Sequence, residues 1–161
     1  MTHEIATVLL WFLAISCGLI AGLYFAFSTF VMSALGRIET QAGIAAMNSI
    51  NAVILRSPFI PLFMGSSLAA LILAGLALLQ WQQAGSAAAL GGAVIYVIGM
   101  SICTVVFNVP LNKALAAVDP ASADGAEVWS RYLRDWSFWN HVRTIASNLA
   151  MTLFIYAIAA R

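Results

Sequence analysis

Long apolar runs separated by short polar segments dominate the chain. No charged residue occurs between Glu4 and Arg37, and none occurs between Arg56 and Lys113. A run of about 20 apolar residues is long enough to cross a bilayer as an α-helix. The pattern predicts four membrane-spanning helices, at residues 5–30, 58–80, 86–107 and 140–160.

The two long connections between these helices also carry a helical pattern. In the first connection, apolar residues recur at the spacing of one face of an amphipathic helix: Ile44, Met47, Ile50 and Ile54. A second short amphipathic helix is predicted from about residue 126 up to the last span. The pattern therefore predicts an all-α, integral membrane four-helix bundle with short amphipathic helices in the two long connections. Residues 1–161 are expected to form a single transmembrane domain.

The composition agrees with a protein that faces lipid. Hydrophobic residues make up 63% of the chain and charged residues only 8%, whereas a soluble domain carries roughly 25% charged residues. The net charge of +1 provides no strong field to attract nucleic acid. Membrane lipid is the expected surrounding partner, and nucleic acid is not expected to bind.

The distribution of basic residues predicts the orientation in the membrane. Six of the seven lysine and arginine residues occur in the two long connections and at the start of the last span: Arg37, Arg56, Lys113, Arg131, Arg134 and Arg143. The turn between the second and third spans has none. By the positive-inside rule, we expect a multi-pass protein of the cell's inner (plasma) membrane with both termini outside the cytoplasm.

The positions of the cysteines and of several glycines indicate how the helices pack against one another. Cys17 and Cys103 lie at depths that differ by roughly 7 Å along parallel helices, too far apart for a disulfide. Gly18 and Gly22 form a GxxxG pattern, and Gly92 and Gly99 lie on a ridge of small residues in the third span. Both allow close helix contact. We expect this contact to lie within one chain, and a homodimer is left open.

The last span opens with unusually polar residues. At 100° per residue, one half of the helix carries donors and acceptors, with His141 at its edge: Asn140, Arg143, Thr144, Ser147, Asn148 and Thr152. Polar groups in a span face the bundle interior or a cavity, and an ionisable one indicates a functional site. In the alternative interpretation, Arg143 extends to the membrane surface and His141 is a surface imidazole.

Helix direction gathers many polar residues at one end of the bundle. The end of the first span, the end of the third and the start of the last share one membrane side. That side holds Arg37, Asn48, Asn51, Arg56, Asn108, Asn112, Asn140, His141 and Arg143, with Trp136 and Trp139 beside them. The clustering predicts a pocket that opens to the bilayer and accepts a flat, hydrophobic aromatic ligand.

A metal or nucleotide site is not expected. His3 and His141 begin spans that enter from opposite sides, so they cannot bind one ion. The acids Glu39, Glu127 and Asp135 lack the spacing of metal ligands. The chain has neither a glycine-rich nucleotide motif nor a CxxC motif. We therefore expect no metal and no cofactor.

Four segments resemble the anthrone oxygenase family of small four-helix membrane proteins. They are GLYFAFSTFVMSAL (Gly22–Leu35), AMNSINAVILRSPF (Ala46–Phe59), NVPLNKALAAVDP (Asn108–Pro120) and WSRYLRDWSFWNHVRT (Trp129–Thr144). The last two are the more specific, and this chain has Ser33 where the family pattern has proline. The resemblance implies a four-helix membrane fold and an oxygenation that needs neither metal nor flavin.

An anthrone-type oxygenation needs a base, a cation for the enolate oxygen and a dry aromatic slot. Under this hypothesis His141 is the base and Arg143 or Arg56 stabilises the oxyanion. Asn140, Asn108 and Asn51 orient the substrate, Trp136 and Trp139 stack on it, and Asn48 and Asn112 complete the binding set. The predicted function is a cofactor-independent membrane oxygenase acting on an anthrone-like or phenolic polycyclic substrate. The alternative is a non-enzymatic membrane protein that binds a quinone, a lipid or another small amphiphile.

Overall fold

The computed structural model describes the backbone of residues 2–161 and the side chains of residues 4–161, so the side chain of His3 lies outside the described residues. Within residues 2–161 every regular element is helical, which confirms the all-α prediction. The α-helices are α1 (Thr2–Ala26), α2 (Met32–Leu35), α3 (Thr40–Ile54), α4 (Phe59–Leu79), α5 (Ser86–Tyr96), α6 (Val109–Ala117) and α7 (Ala123–Ala159). Three π-helical segments, Phe27–Val31, Val97–Ile102 and Thr104–Asn108, join consecutive α-helices.

Four of the described helical stretches are long and apolar enough to cross a membrane. They are span 1 (Glu4–Leu35), span 2 (Phe59–Leu79), span 3 (Ser86–Ala117) and span 4 (Ala123–Ala159). Their number and order match the prediction, and the chain is a multi-pass membrane protein. Spans 3 and 4 are longer than predicted, because the polar segments after residue 107 and before residue 140 continue the same helices.

The second long connection is much shorter than predicted. The amphipathic segment that begins near residue 126 is helical, but it is the first part of span 4 and not a separate helix. Ser122 caps this helix by accepting a hydrogen bond from the Gly125 N–H at 2.9 Å. Residues 126–139 contain no proline or glycine to interrupt the helix.

The predicted helix of the first long connection is present as α3. Glu39 caps α3, since its carboxylate accepts the N–H groups of Gln41 and Ala42. Gly43 allows α3 to pack closely on Trp129, because a Cβ at position 43 would lie only 2.9 Å from the indole ring. α3 packs against α6 and α7 around a second hydrophobic cluster that includes Met47 and Trp136. It therefore covers the polar end of the bundle.

Small residues bring the spans into close contact. A Cβ on Gly99 would lie 2.5 Å from the Cβ of Ala146, and one on Gly92 would lie 2.8 Å from the Phe154 ring. The small-residue ridge of span 3 thus packs within the chain, on span 4. Cys17 and Cys103 are both buried and free, so the prediction that they form no disulfide is confirmed.

Candidate functional site

A cavity of about 210 Å³ lies between the main hydrophobic core of the four spans and the second cluster under α3. All four spans and α3 contribute to its wall. The lining residues are Leu23, Tyr24, Phe27, Met47, Ile50, Asn51, Ile54, Leu55, Phe59, Ile60, Phe63, Met64, Thr104, Val105, Val109, Asn112, Trp136 and Arg143. Most are apolar or aromatic, and Arg143 is the only charged residue among them.

Arg143 is a buried cation without a carboxylate partner. Its side chain is only 4% exposed. Its Nη2 donates a hydrogen bond to Asn140 Oδ1 at 2.8 Å, and its Nη1 donates one to Thr104 Oγ1 at 3.4 Å. The guanidinium carbon also lies 4.2 Å from the ring centroid of Tyr24 and 5.1 Å from that of Trp136. No described Asp or Glu forms an ion pair with it. The cavity wall therefore carries an unneutralised positive charge.

Asn140 holds this guanidinium in place. The asparagine is fully buried, and its Nδ2 donates to the Tyr24 carbonyl and to Ser28 Oγ, each at 2.8 Å. Its Oδ1 accepts the bond from Arg143. Both ends of the amide are thus engaged, which orients Arg143 against span 1.

Three further donors on cavity-lining residues have no hydrogen-bond partner. They are Arg143 Nε, Trp136 Nε1 and Asn51 Nδ2, and all three atoms are buried. Buried N–H groups are rarely left unpaired in folded proteins, because each loses its bond to water on burial. Since all three are donors and one carries a positive charge, the wall is suited to a ligand that supplies acceptor oxygens, preferably an anionic one.

The cavity opens sideways. Three of its lining residues are largely exposed, with Leu55 at 67%, Met64 at 61% and Val105 at 60%. They come from the chain after α3, from span 2 and from span 3. Exposed apolar residues on membrane-spanning helices face lipid, so this side of the cavity faces the bilayer.

Two π-helical segments shape the cavity wall. Phe27 begins the first segment in span 1, and Thr104 begins the last one in span 3. Thr104 Oγ1 donates to the Met100 carbonyl at 2.7 Å, so its oxygen can accept the bond from Arg143. π-Helical turns occur often at functional sites, where they redirect side chains from the regular helical register.

Of the predicted site residues, the structure brings four to the cavity wall: Asn51, Asn112, Trp136 and Arg143. Three others do not line the cavity but bond to neighbouring residues. Asn140 holds Arg143, Asn108 Nδ2 donates to the Trp136 carbonyl at 3.2 Å, and Asn48 Nδ2 donates to the Leu115 carbonyl at 3.5 Å. Asn140 and Asn108 thus bond to residues that line the cavity, whereas Asn48 bonds to Leu115, which does not line it.

His141 does not line the cavity that Arg143 lines. The imidazole is exposed and lies in a separate surface groove beside Arg37. The reason is geometric, because two residues along an α-helix turn the side chain by about 200°. With Arg143 facing the interior, His141 must face outward.

Arg56 and Trp139 also do not line the cavity. Arg56 is exposed in the turn that follows α3. Trp139 stacks on Phe107, with ring centroids 3.6 Å apart and planes at 4°. That aromatic pair packs span 3 against span 4 and leaves Trp136 as the tryptophan of the cavity wall.

Sequence reasoning missed Tyr24 and Thr104. Each lies within a long, mainly apolar run. A signal for Thr104 was present, since Thr104, Asn108 and Asn112 follow one another at intervals of four residues and thus share one helix face. Tyr24 has no comparable signal, because its role depends on the approach of Arg143 from span 4.

A model of the anthrone oxygenase family matches residues 55–153, which is more than half of the chain. The matched region includes Thr104, Trp136, Asn140 and Arg143, while Tyr24 and Asn51 lie before it. No curated protein and no solved structure matches the chain.

Proposed function

Since the chain belongs to the anthrone oxygenase family, we propose that it is a membrane oxygenase that oxidises an anthrone-like or phenolic substrate with dioxygen and needs no metal or organic cofactor. One observation carries the proposal. The Arg143 guanidinium, without a carboxylate partner, lines an apolar cavity whose mouth is formed by exposed apolar residues. Such a charge stabilises an oxyanion strongly where water is excluded.

Arg143 binds the oxygen of the substrate as its enolate or phenolate. The free Nε–H and the neighbouring N–H groups of Trp136 and Asn51 supply additional donors to the same anion. Hydrogen bonds to an ionised acceptor are about twice as strong as neutral ones. The site therefore favours the ionised, electron-rich form of the substrate.

Aromatic residues hold the substrate ring. Tyr24, Phe27, Phe59 and Trp136 line the cavity around the Arg143 side chain. The volume of about 210 Å³ exceeds the roughly 150 Å³ of a cavity that binds benzene. One or two fused rings fit inside, and a third ring extends through the mouth beside Leu55, Met64 and Val105.

The reaction consumes one dioxygen and releases one water. Ionisation of the substrate's enol hydroxyl passes a proton to water at the cavity mouth, because no imidazole or carboxylate lines the cavity. The enolate carbon then transfers electrons to dioxygen and forms a carbon–oxygen bond, and the resulting peroxide anion takes back a proton from water to give a hydroperoxide. Loss of water from the hydroperoxide converts the original CH₂ group into a carbonyl, so an anthrone becomes an anthraquinone.

A non-enzymatic binding protein for a quinone, a lipid or another small amphiphile is the second candidate. The lack of a general base on the cavity wall favours it. A quinone carbonyl would accept hydrogen bonds from the same donors.

Anaerobic binding followed by exposure to oxygen distinguishes the two functions. Binding of anthrone to the purified protein in detergent can be followed by quenching of tryptophan fluorescence, since Trp136 lines the cavity. Admission of dioxygen should then produce stoichiometric oxygen uptake and anthraquinone. Arg143→Met should lose both binding and turnover, whereas Arg131→Gln, an exposed residue outside the cavity, should retain both. Binding without oxygen uptake by the unmodified protein would support the binding protein instead.

A further inference from the structure

A second groove, of about 380 Å³, lies on the outer surface where the end of span 1 meets span 4. Its polar residues are Ser28, Ser33, Arg37, Ser137 and His141. It is separate from the Arg143 cavity, since no residue lines both. Neither the oxygenase proposal nor the family match accounts for it.

The groove is basic and has no acidic residue in its wall. Arg37 and His141 are exposed, and neither forms a side-chain hydrogen bond or an ion pair within the described part of the chain. The acid nearest in sequence, Glu39, is occupied in capping α3 through the N–H groups of Gln41 and Ala42. The positive charge of Arg37 is therefore available to an anionic ligand.

Two hydroxyl groups of the groove are also available. Ser33 and Ser137 make no hydrogen bond within residues 4–161, whereas serines in helices commonly bond back to the carbonyl four residues earlier, as Ser66 does here. Hydroxyl donors beside an arginine match the oxygen atoms of a phosphate group.

Apolar surface continues from the groove towards the middle of the membrane. Ile145 and Leu149 lie one and two helical turns beyond His141 on the same face of span 4, and they are 61% and 52% exposed. We call these exposed apolar side chains the apolar seam. A ligand with a charged head and a long apolar chain can place its head in the groove and its chain along the seam.

We propose that this groove binds an anionic phospholipid, with its phosphate at Arg37 and His141 and an acyl chain along Ile145 and Leu149. Basic pockets between membrane helices are typical headgroup sites. The continuity of basic groove and apolar seam favours a lipid over free phosphate, which would gain nothing from the seam.

Lipid retention by the purified full-length protein tests the proposal. The protein is extracted in detergent, incubated with phosphatidylglycerol or phosphatidylcholine, and analysed by native mass spectrometry. We expect phosphatidylglycerol to be retained preferentially and its affinity to fall about ten- to a hundredfold in Arg37→Gln, the effect of losing one charge-assisted hydrogen bond. Arg131→Gln removes the same charge from an exposed position of span 4 outside the groove and should retain the lipid. His141→Gln provides a second groove variant if Arg37→Gln does not fold.

Three results would overturn the proposal. Equal losses in Arg37→Gln and Arg131→Gln would indicate only diffuse attraction to surface charge. Equal retention of phosphatidylcholine would remove the requirement for an anionic lipid. Displacement of the lipid by inorganic phosphate at equal concentration would identify a free-phosphate site, because the apolar seam would then contribute nothing.

Discussion

Arg143→Met separates the role of the guanidinium in stability from its role in ligand binding. The arginine is 4% exposed and makes one short hydrogen bond, a longer one to Thr104 at 3.4 Å, and contacts with two aromatic rings. The bond to Asn140 is worth about 1.5–3 kcal/mol, and each ring contact about 0.5–2 kcal/mol. Against this sum stands a desolvation penalty of several kcal/mol for a buried cation.

These opposing contributions nearly cancel, so the substitution should change stability little. Methionine keeps apolar packing beside Tyr24 and Trp136, and its sulfur gains about 0.3–1.5 kcal/mol against aromatic rings. It leaves Asn140 Oδ1 without a partner, at a cost of about 1–3 kcal/mol. No buried carboxylate is left behind, because the partner of Arg143 is a neutral amide. We expect the free energy of unfolding to change by no more than about 2 kcal/mol.

The matched variant Asn140→Ala should behave in the opposite way. It removes two buried donor bonds to span 1 and leaves the Arg143 cation without its best partner. Removing the partner of a buried charge costs about 3–5 kcal/mol. Asn140→Ala should therefore unfold more readily than Arg143→Met.

Thermal unfolding in detergent, followed by tryptophan fluorescence, measures both variants. Anthrone titration under anaerobic conditions measures ligand binding in Arg143→Met, where we expect a loss of at least about tenfold. The reasoning is refuted if Arg143→Met is the less stable variant and still binds the ligand normally. Arg143 would then be a structural residue of the helix interface.

Three further predictions concern other parts of the molecule. Trp136→Phe removes a free indole N–H from the cavity wall, so phenolate binding should weaken about two- to tenfold. Unchanged binding, measured by equilibrium dialysis, would contradict this. Gly99→Ala should destabilise the protein by about 1–3 kcal/mol, because the new Cβ would lie 2.5 Å from the Cβ of Ala146. Gly22 has open space around it, so Gly22→Ala should be neutral or stabilising by up to about 1 kcal/mol. Thermal unfolding of the two variants in parallel tests this difference. Single cysteines at positions 2 and 160 should react with a membrane-impermeant maleimide from outside the cytoplasm, and labelling from opposite sides would disprove the predicted orientation.

The number and order of the spans could be predicted from the sequence because span formation depends on local composition. A helix satisfies all its backbone hydrogen bonds within itself, so a long apolar run can form one without knowledge of the rest of the fold. Helical periodicity is also a local property, so the buried face of span 4 could be predicted from the sequence. Periodicity places Asn140, Arg143 and Ser147 on one face, and all three are buried. Periodicity places His141 only at the edge of this face, and the packing of the helices leaves its side chain exposed.

The candidate site depended on the tertiary structure because its residues come from five helices that are distant in the sequence. The return of α3 over the bundle brings Asn51 to the wall but leaves Arg56 in an exposed turn. The continuous helix of span 4 directs Trp136 inward while Trp139 stacks on Phe107. Tyr24 joins the site only because Asn140 binds its carbonyl and positions Arg143 against its ring. A local pattern determines which face of a helix is polar, but the rotation and crossing of packed helices determine which polar groups meet, and these depend on side-chain contacts between distant parts of the chain.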